Sequence, residues 1–173
     1  AGAVAKQLLA RQGVWVGAHI SSIYGITDAS LEDAGALEAV AAKPFPVLDD
    51  AKGEEMRQAI LEAKNEQDSV GGVIECRLSG LPAGLGAPFF DSVESVLSHL
   101  MFSIPAVKGV SFGAGFDFAA LRGSQANDAF RMEGGHVVTA TDRCGGILGG
   151  ITTGGDVIFR CVIRATPSIG KPQ

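Results

Sequence analysis

The sequence predicts an α+β fold in which antiparallel sheet packs on helices, and three observations carry that expectation. Strand-like and helix-like segments alternate along much of the chain, with Gly, Pro, Asp and Ser between them. The segment Asp91 to Ile104 places Val93, Val96, Leu97, Leu100, Met101 and Ile104 at helical spacing. Beyond Val107 the chain breaks into short β-forming runs separated by glycines, the pattern of turns between paired strands.

Taken in order, Ala1 to Arg11 reads as the middle and end of a helix with Gly13 as its stop. No capping residue and no Met precede it, so a longer parent chain is expected. Val14 to Ile23 (VWVGAHISSI) is β-rich, and Ser30 to Lys43 opens on Ser30-x-x-Asp33, a capping-box-like start for an Ala-rich helix. A second helix should follow the Asp49-Asp50 pair and run to about Gln67, with Met56, Ala59, Ile60 and Ala63 as its apolar stripe. Val70 to Leu81 is then a strand. Asp91 with Glu94 reads as the start signal of the Asp91 to Ile104 helix, whose apolar face is expected to be core. Gly145 to Ala165 (GGILGGITTGGDVIFRCVIRA) reads as two strands about a Thr152 to Asp156 turn. The sequence stops at Gln173 shortly after a strand-like segment, again as a fragment would.

At 173 residues the chain suits one domain, spanning 1–173. A hydrophobic content of 46% excludes a disordered chain, yet no apolar run is long enough to cross a bilayer and no signal-like region opens the sequence. A soluble, cytoplasmic protein with no membrane partner is expected. The net charge of −5 without clustered Lys and Arg argues against a nucleic-acid surface, so any anionic ligand must be held locally.

The stretch from Asp68 to Phe116 is dense in glycine and nearly free of orthodox catalytic residues. A site built from it would consist mostly of backbone, although its glycines also suit plain hairpin turns. Gly113-x-Gly115 lacks the third glycine of a dinucleotide fingerprint, and Gly150 to Asp156 lacks the Lys-Ser/Thr of a phosphate loop. The histidines are His19, His99 and His136, none at metal-ligand spacing from a Cys, Asp or Glu. His99 lies off its helix's apolar stripe and should face solvent. His19 alternates with Val14, Val16 and Ala18 and suits a structural role, and His136 stays open. Cys76, Cys144 and Cys161 are odd in number and include no Cys-x-x-Cys pair, so no metal or disulfide framework is expected and all three read as structural.

Several long motifs then agree in order: Pro82-Ala83-Gly84-Leu85-Gly86-Ala87-Pro88-Phe89-Phe90-Asp91, Ser103-Ile104-Pro105-Ala106-Val107-Lys108-Gly109-Val110, Gly113-Ala114-Gly115-Phe116, Gly123-Ser124 with Asp128, and Gly145-Gly146-Ile147-Leu148-Gly149-Gly150-Ile151. Together they resemble the chorismate synthase family, and the resemblance extends from Ala1–Lys6 to the final Thr166–Gln173 segment (TPSIGKPQ). It implies a helical layer sandwiched between antiparallel β-sheets and a homotetramer in the full-length family. It also implies a lyase that makes chorismate from 5-enolpyruvylshikimate 3-phosphate by 1,4-elimination of phosphate, with reduced FMN required but no net redox change. The flavin contacts it implies are Pro105, Ala106, Gly149, Arg164, Ala165, Thr166, Pro167 and Ser168. Ala106 and Gly149 are small enough to let a flavin lie on backbone, Arg164 can pair with an anionic group, and Thr166 and Ser168 offer hydroxyls. For Gly149 a tight packing position is an equal reading, and for Arg164 a solvated strand-end charge.

The chain departs from the family pattern in two places. Arg164-Ala165 stands where the family usually has Lys-Pro, which keeps charge but changes its geometry. Asp142 stands where an Asn is usual, and pairing with Arg143 would compensate. The family's two catalytic histidines and most of its phosphate-gripping arginines correspond to segments outside this sequence, so no catalytic residue is assigned within it. An inactive fragment is expected, with a non-catalytic flavin-binding or assembly core as the alternative and an unrelated glycine-rich binder as a third reading.

Overall fold

A computed structural model describes residues 2–29 and 34–172. In chain order the elements are α1 (Gly2–Arg11), β1 (Trp15–Ile23), β2 (Ile26–Thr27), α2 (Ala34–Ala41), α3 (Asp50–Asn65), β3 (Gly72–Ser79), α4 (Val93–Phe102) and β4 (Val107–Phe112). A 3₁₀ turn (Gly115–Ala120), the short α5 (Gly123–Ala126), β5 (Phe130–Glu133), β6 (His136–Thr139), β7 (Ile147–Leu148), β8 (Ile151–Thr152) and β9 (Val157–Ile163) follow. One sheet has the strand order β2-β1-β3-β9-β4, and β5–β6 and β7–β8 form separate antiparallel ladders. Mixed helix and antiparallel sheet is the α+β class expected from the sequence. The Ser30-x-x-Asp33 start signal lies outside the described residues.

By contacts the chain divides into two compact units, the first comprising Ala1–Val16, Arg77–Met101 and Ser111–Phe159. Its α1 stops as read, with Gly13 at φ 78° and the Gln12 and Val14 amides both donating to the Leu9 carbonyl. Val14, Ile147, Val157 and Phe159 form its buried core, with the Phe112 and Phe159 rings 5.8 Å apart. The β5–β6 hairpin turns at Gly134-Gly135, both with positive φ, so that Glu133 faces His136.

Three expectations are corrected here. The cap of α4 is Ser92, whose Oγ accepts the Ser95 amide at 3.1 Å, while Asp91 is engaged through its backbone with Ala87. The stripe of α4 is not core: Val93 and Leu97 turn toward Leu78, Leu81 and Val157 around a cavity of about 270 Å³, but Val96 and Leu100 are 45% and 51% exposed. Its apolar arc is wider than the surface facing it. Two strands, β8 and β9, do flank the Thr152–Asp156 turn, but they are not paired with each other: the chain reverses earlier, at Gly149-Gly150, both with positive φ, where β7 pairs with β8. Thr152 then pairs with the glycine loop instead: its amide donates to the Leu85 carbonyl, its Oγ1 accepts the Leu85 amide, and that hydroxyl donates to the Pro82 carbonyl.

The second unit comprises Gly17–Cys76, Phe102–Val110 and Arg160–Gln173. Helix α3 starts where the acidic pair predicted, with Asp49 Oδ1 accepting the Ala51 and Lys52 amides. Its stripe delivers Met56, fully buried, to a core shared with Val40, Val47, Val107 and Cys161. Gly53 permits the approach of Val47, since a Cβ there would lie 2.6 Å from Val47 Cγ2.

Candidate functional site

In the second unit the chain leaving α4 turns sharply before β4. Ala106 takes the left-handed conformation, φ 71°, which costs a residue with a Cβ about 1–2 kcal/mol. That turn directs the Ala106 carbonyl to the Arg164 amide, 2.9 Å away, just past the end of β9. One backbone bond thus joins the Pro105–Ala106 turn to the Arg164–Ser168 segment. Pro105, Ala106, Arg164, Thr166, Pro167 and Ser168 are exposed and Ala165 is half-buried, so the group presents a surface rather than a core. Close backbone approach behind it depends on Gly71, where a Cβ would lie 2.6 Å from the Ile163 carbonyl oxygen and 2.9 Å from the Ala165 nitrogen.

The chemistry on this surface suits an anionic ligand. Arg164 folds its Nε onto the Ala165 carbonyl at 3.3 Å and leaves the rest of an exposed guanidinium free of acidic partners among the described residues. The Thr166 and Ser168 hydroxyls are exposed beside it, supplying neutral donors. Gly149 lies in the first unit, in the β7–β8 turn, and is exposed at φ 59°. A Cβ there would meet nothing within 4 Å, so the packing reading fails for Gly149, whereas Gly150 beside it would press a Cβ to 2.7 Å from Ser92.

His99 is exposed, as its position off the stripe predicts. His136 is exposed at the start of β6 and lines an open cleft of about 550 Å³ with Arg77, Asp142 and Asp156. His19 is buried in the second unit, with Nδ1 3.3 Å from Asp28 Oδ2 and Nε2 3.4 Å from Glu75 Oε1. Burial opposes its charged form, but hydrogen bonds and charge from Glu75 and Asp28 outweigh that and hold its pKa above the usual imidazole value. Glu75 also takes the Arg160 Nε at 2.6 Å, and Asp28 accepts the Leu48 and Asp49 amides at 2.6 and 2.9 Å. This is a structural ion network, fixing the lead-in to α3.

The expected Asp142–Arg143 pairing is replaced by a backbone bond: Asp142 Oδ1 accepts the Gly146 amide at 2.6 Å, and the nearby guanidinium of Arg77 binds Asp156 at 2.6 Å. A carboxylate does there what an Asn carbonyl could do. Asp128, buried, accepts the Thr141 hydroxyl and the Arg143 and Cys144 amides at 2.6, 2.8 and 2.7 Å, closing the loop that carries them. Asp128→Ala strands those donors and is expected to lower stability by about 3 kcal/mol, the upper end for a hydrogen bond to a charged group, readable as a drop in the chemical-denaturation midpoint.

The surroundings of all three thiols disfavour the thiolate. Burial pushes Cys76 up to about 12 and Cys144 up to about 11, in each case with help from nearby negative charge, and burial also raises Cys161.

What sequence reasoning missed is the support behind the Arg164–Ser168 segment: Asp68, Ser69, Gly71 and Lys171. The available signal was Asp68-Ser69-x-Gly71-Gly72, a turn signature next to a strand, which reads as an ordinary loop until its partner segment is known.

The fold is of the α+β class, and the Pro105–Ala106 turn and the Arg164–Ser168 segment form an exposed surface on it. A crystal structure of chorismate synthase superposes with a TM-score of 0.87 at 29% identity, covering 96% of this chain and 54% of that one. The chorismate synthase family model matches residues 1–173, and the chain belongs to that family. The chorismate synthase of Methanosarcina acetivorans is 46% identical over 172 residues, that of Thermococcus gammatolerans 44% over 174, and that of Lancefieldella parvula 39% over 187. These alignments take in 99% to 100% of this chain but 47% to 49% of the relatives, so the chain spans about half the length of the curated relatives it matches.

Proposed function

We propose that this chain is the flavin-side part of a chorismate synthase subunit, a cytoplasmic lyase of the shikimate pathway that eliminates phosphate from 5-enolpyruvylshikimate 3-phosphate to give chorismate. The observation that supports the reading is the Ala106–Arg164 backbone bond, which joins the two segments that carry seven of the eight flavin-contact candidates. Reduced FMN, when bound, supplies electron density transiently to the allylic system as phosphate leaves. The residues of this chain do the rest of what falls to it. Ala106 offers a surface without bulk, Arg164 holds negative charge, and the Thr166 and Ser168 hydroxyls fix orientation, so that catalytic gain comes from placement rather than from proton transfer. Proton transfer belongs to the family's histidines, outside these residues, and the chain by itself is inactive. Titration of the chain with FMN should quench flavin fluorescence, and Arg164→Met should raise Kd about tenfold, the effect of losing one charge-assisted bond. Absent quenching would overturn the reading, and turnover of enolpyruvylshikimate phosphate with anaerobically reduced FMN would overturn the claim of inactivity.

A second reading, a folded assembly core of a homotetrameric subunit, is favoured by Phe89, Phe90 and Phe116, each at least 90% exposed. It requires self-association, and a clean monomer in sedimentation would count against it.

A further inference from the structure

The segment carrying Arg164 to Ser168 is tied at three points to the turn that ends α3. Ser69 Oγ donates to the Thr166 carbonyl at 2.6 Å. The Gly170 amide donates to the Gln67 carbonyl at 2.9 Å. Lys171 Nζ reaches Asp68 Oδ2 at 2.7 Å and Glu66 Oε2 at 3.2 Å.

The turn itself is built to hold this position. Gln67 adopts φ 60°, the Asp68 amide returns to the Ala63 carbonyl, and Asp68 Oδ1 accepts the Ser69 amide at 2.8 Å. The Asp68 carboxylate therefore fixes its own turn with one oxygen and the far segment with the other. Its pKa is lowered, first by the Lys171 hydrogen bond and then by the Ser69 amide.

We infer that Ser69, Asp68 and Lys171 are positioning residues for ligand binding by the Arg164–Ser168 segment, a role that rests on the flavin reading above. An extended segment beyond the last strand has little to order it, and ordering it at the moment of binding would consume affinity. The tie at Ser69 lies two residues from Arg164 and directly on Thr166. The Lys171 pair is half-exposed, 40% on Lys171 and 38% on Asp68, and a pair of that kind adds little to global stability. Its effect should therefore appear in binding and local order rather than in the melting temperature.

The test is an FMN fluorescence titration of the chain and of its Ser69→Ala, Lys171→Met and Lys171→Arg forms, with melting temperature and amide exchange at Ser168 to Gly170 followed alongside. Ser69→Ala combined with Lys171→Met is expected to weaken FMN binding about fivefold or more and to speed that exchange, with melting temperature within about 2 °C of the unsubstituted chain, and Lys171→Arg is expected to bind like it. The Lys171→Met loss should shrink as salt is added. Unchanged FMN affinity in the double variant, or equal losses from Lys171→Met and Lys171→Arg, would overturn the role. No quenching by the unsubstituted chain would instead overturn the flavin reading, and this role with it; the two failures differ in whether the unsubstituted chain binds.

Discussion

Replacing Gly113 with alanine should unfold the first unit's core at moderate denaturant or temperature. Gly113 sits at φ 53°, and a Cβ there would overlap the Arg143 carbonyl oxygen and come within 2.5 Å of the Gly145 nitrogen. These neighbours are backbone, so no rotamer change relieves them, and the Gly113 amide is already committed to the Ile158 carbonyl at 3.0 Å. Left-handed conformation costs about 1–2 kcal/mol and overpacking about 1–3 kcal/mol, so a loss of about 4 kcal/mol is expected. Gly149→Ala is the matched control. It shares the positive φ but meets open space, so it should lose only about 1–2 kcal/mol. Urea titrations of the two variants separate the explanations: similar losses would mean that φ alone, and not the crowded backbone around Gly113, sets the cost.

Glu75→Ala is expected to destabilise the second unit by about 3 kcal/mol. The carboxylate is buried and serves His19 and Arg160 together. Breaking a buried pair costs about 3–5 kcal/mol, and the lower end applies because Arg160, 41% exposed, can turn to water. The pH dependence has a definite sign. The folded pKa of His19 is raised above 6.5, so its stabilising contribution is complete below pH 6.5 and disappears as pH rises through the folded value. The folded pKa of Glu75 is lowered below 4.5: burial opposes this, but hydrogen bonds from His19 and Arg160 win, so its contribution holds above pH 4.5 and is lost as pH falls through the folded value. The network should stabilise most between about pH 4.5 and 6.5, and in denaturation midpoints measured from pH 3 to 9 Glu75→Ala should remove the Glu75 contribution to the acid flank and shrink the alkaline flank, part of which remains because Asp28 still holds His19.

The local elements were legible where side chains act on their own backbone. Asp49 caps α3, Gly13 ends α1 and the Met56 stripe points into the core, all from short-range rules. Reading failed where a distant segment intervened. Thr152 is drawn to the Gly84–Leu85 loop, and Ser92 rather than Asp91 caps α4 because the helix begins at Val93, one residue later than the start signal implied, with the Asp91 backbone paired to Ala87. The face of α4 carries the same spacing whether or not something covers it, so periodicity could not tell core from exposed surface. For the candidate site, the residues came from family resemblance and the geometry from the fold: the left-handed Ala106 has no signature in Ile104-Pro105-Ala106-Val107, and the Ser69–Thr166 bond joins residues 97 positions apart.

The most direct test of the proposed flavin face is residue-resolved. Amide chemical shifts of the ¹⁵N-labelled chain followed during addition of FMN should move at Ala106 and at Arg164, Ala165, Thr166 and Ser168, with Kd matching the fluorescence titration. Shifts confined to the cleft lined by Arg77, His136 and Asp156, or none at saturating FMN, would contradict the account.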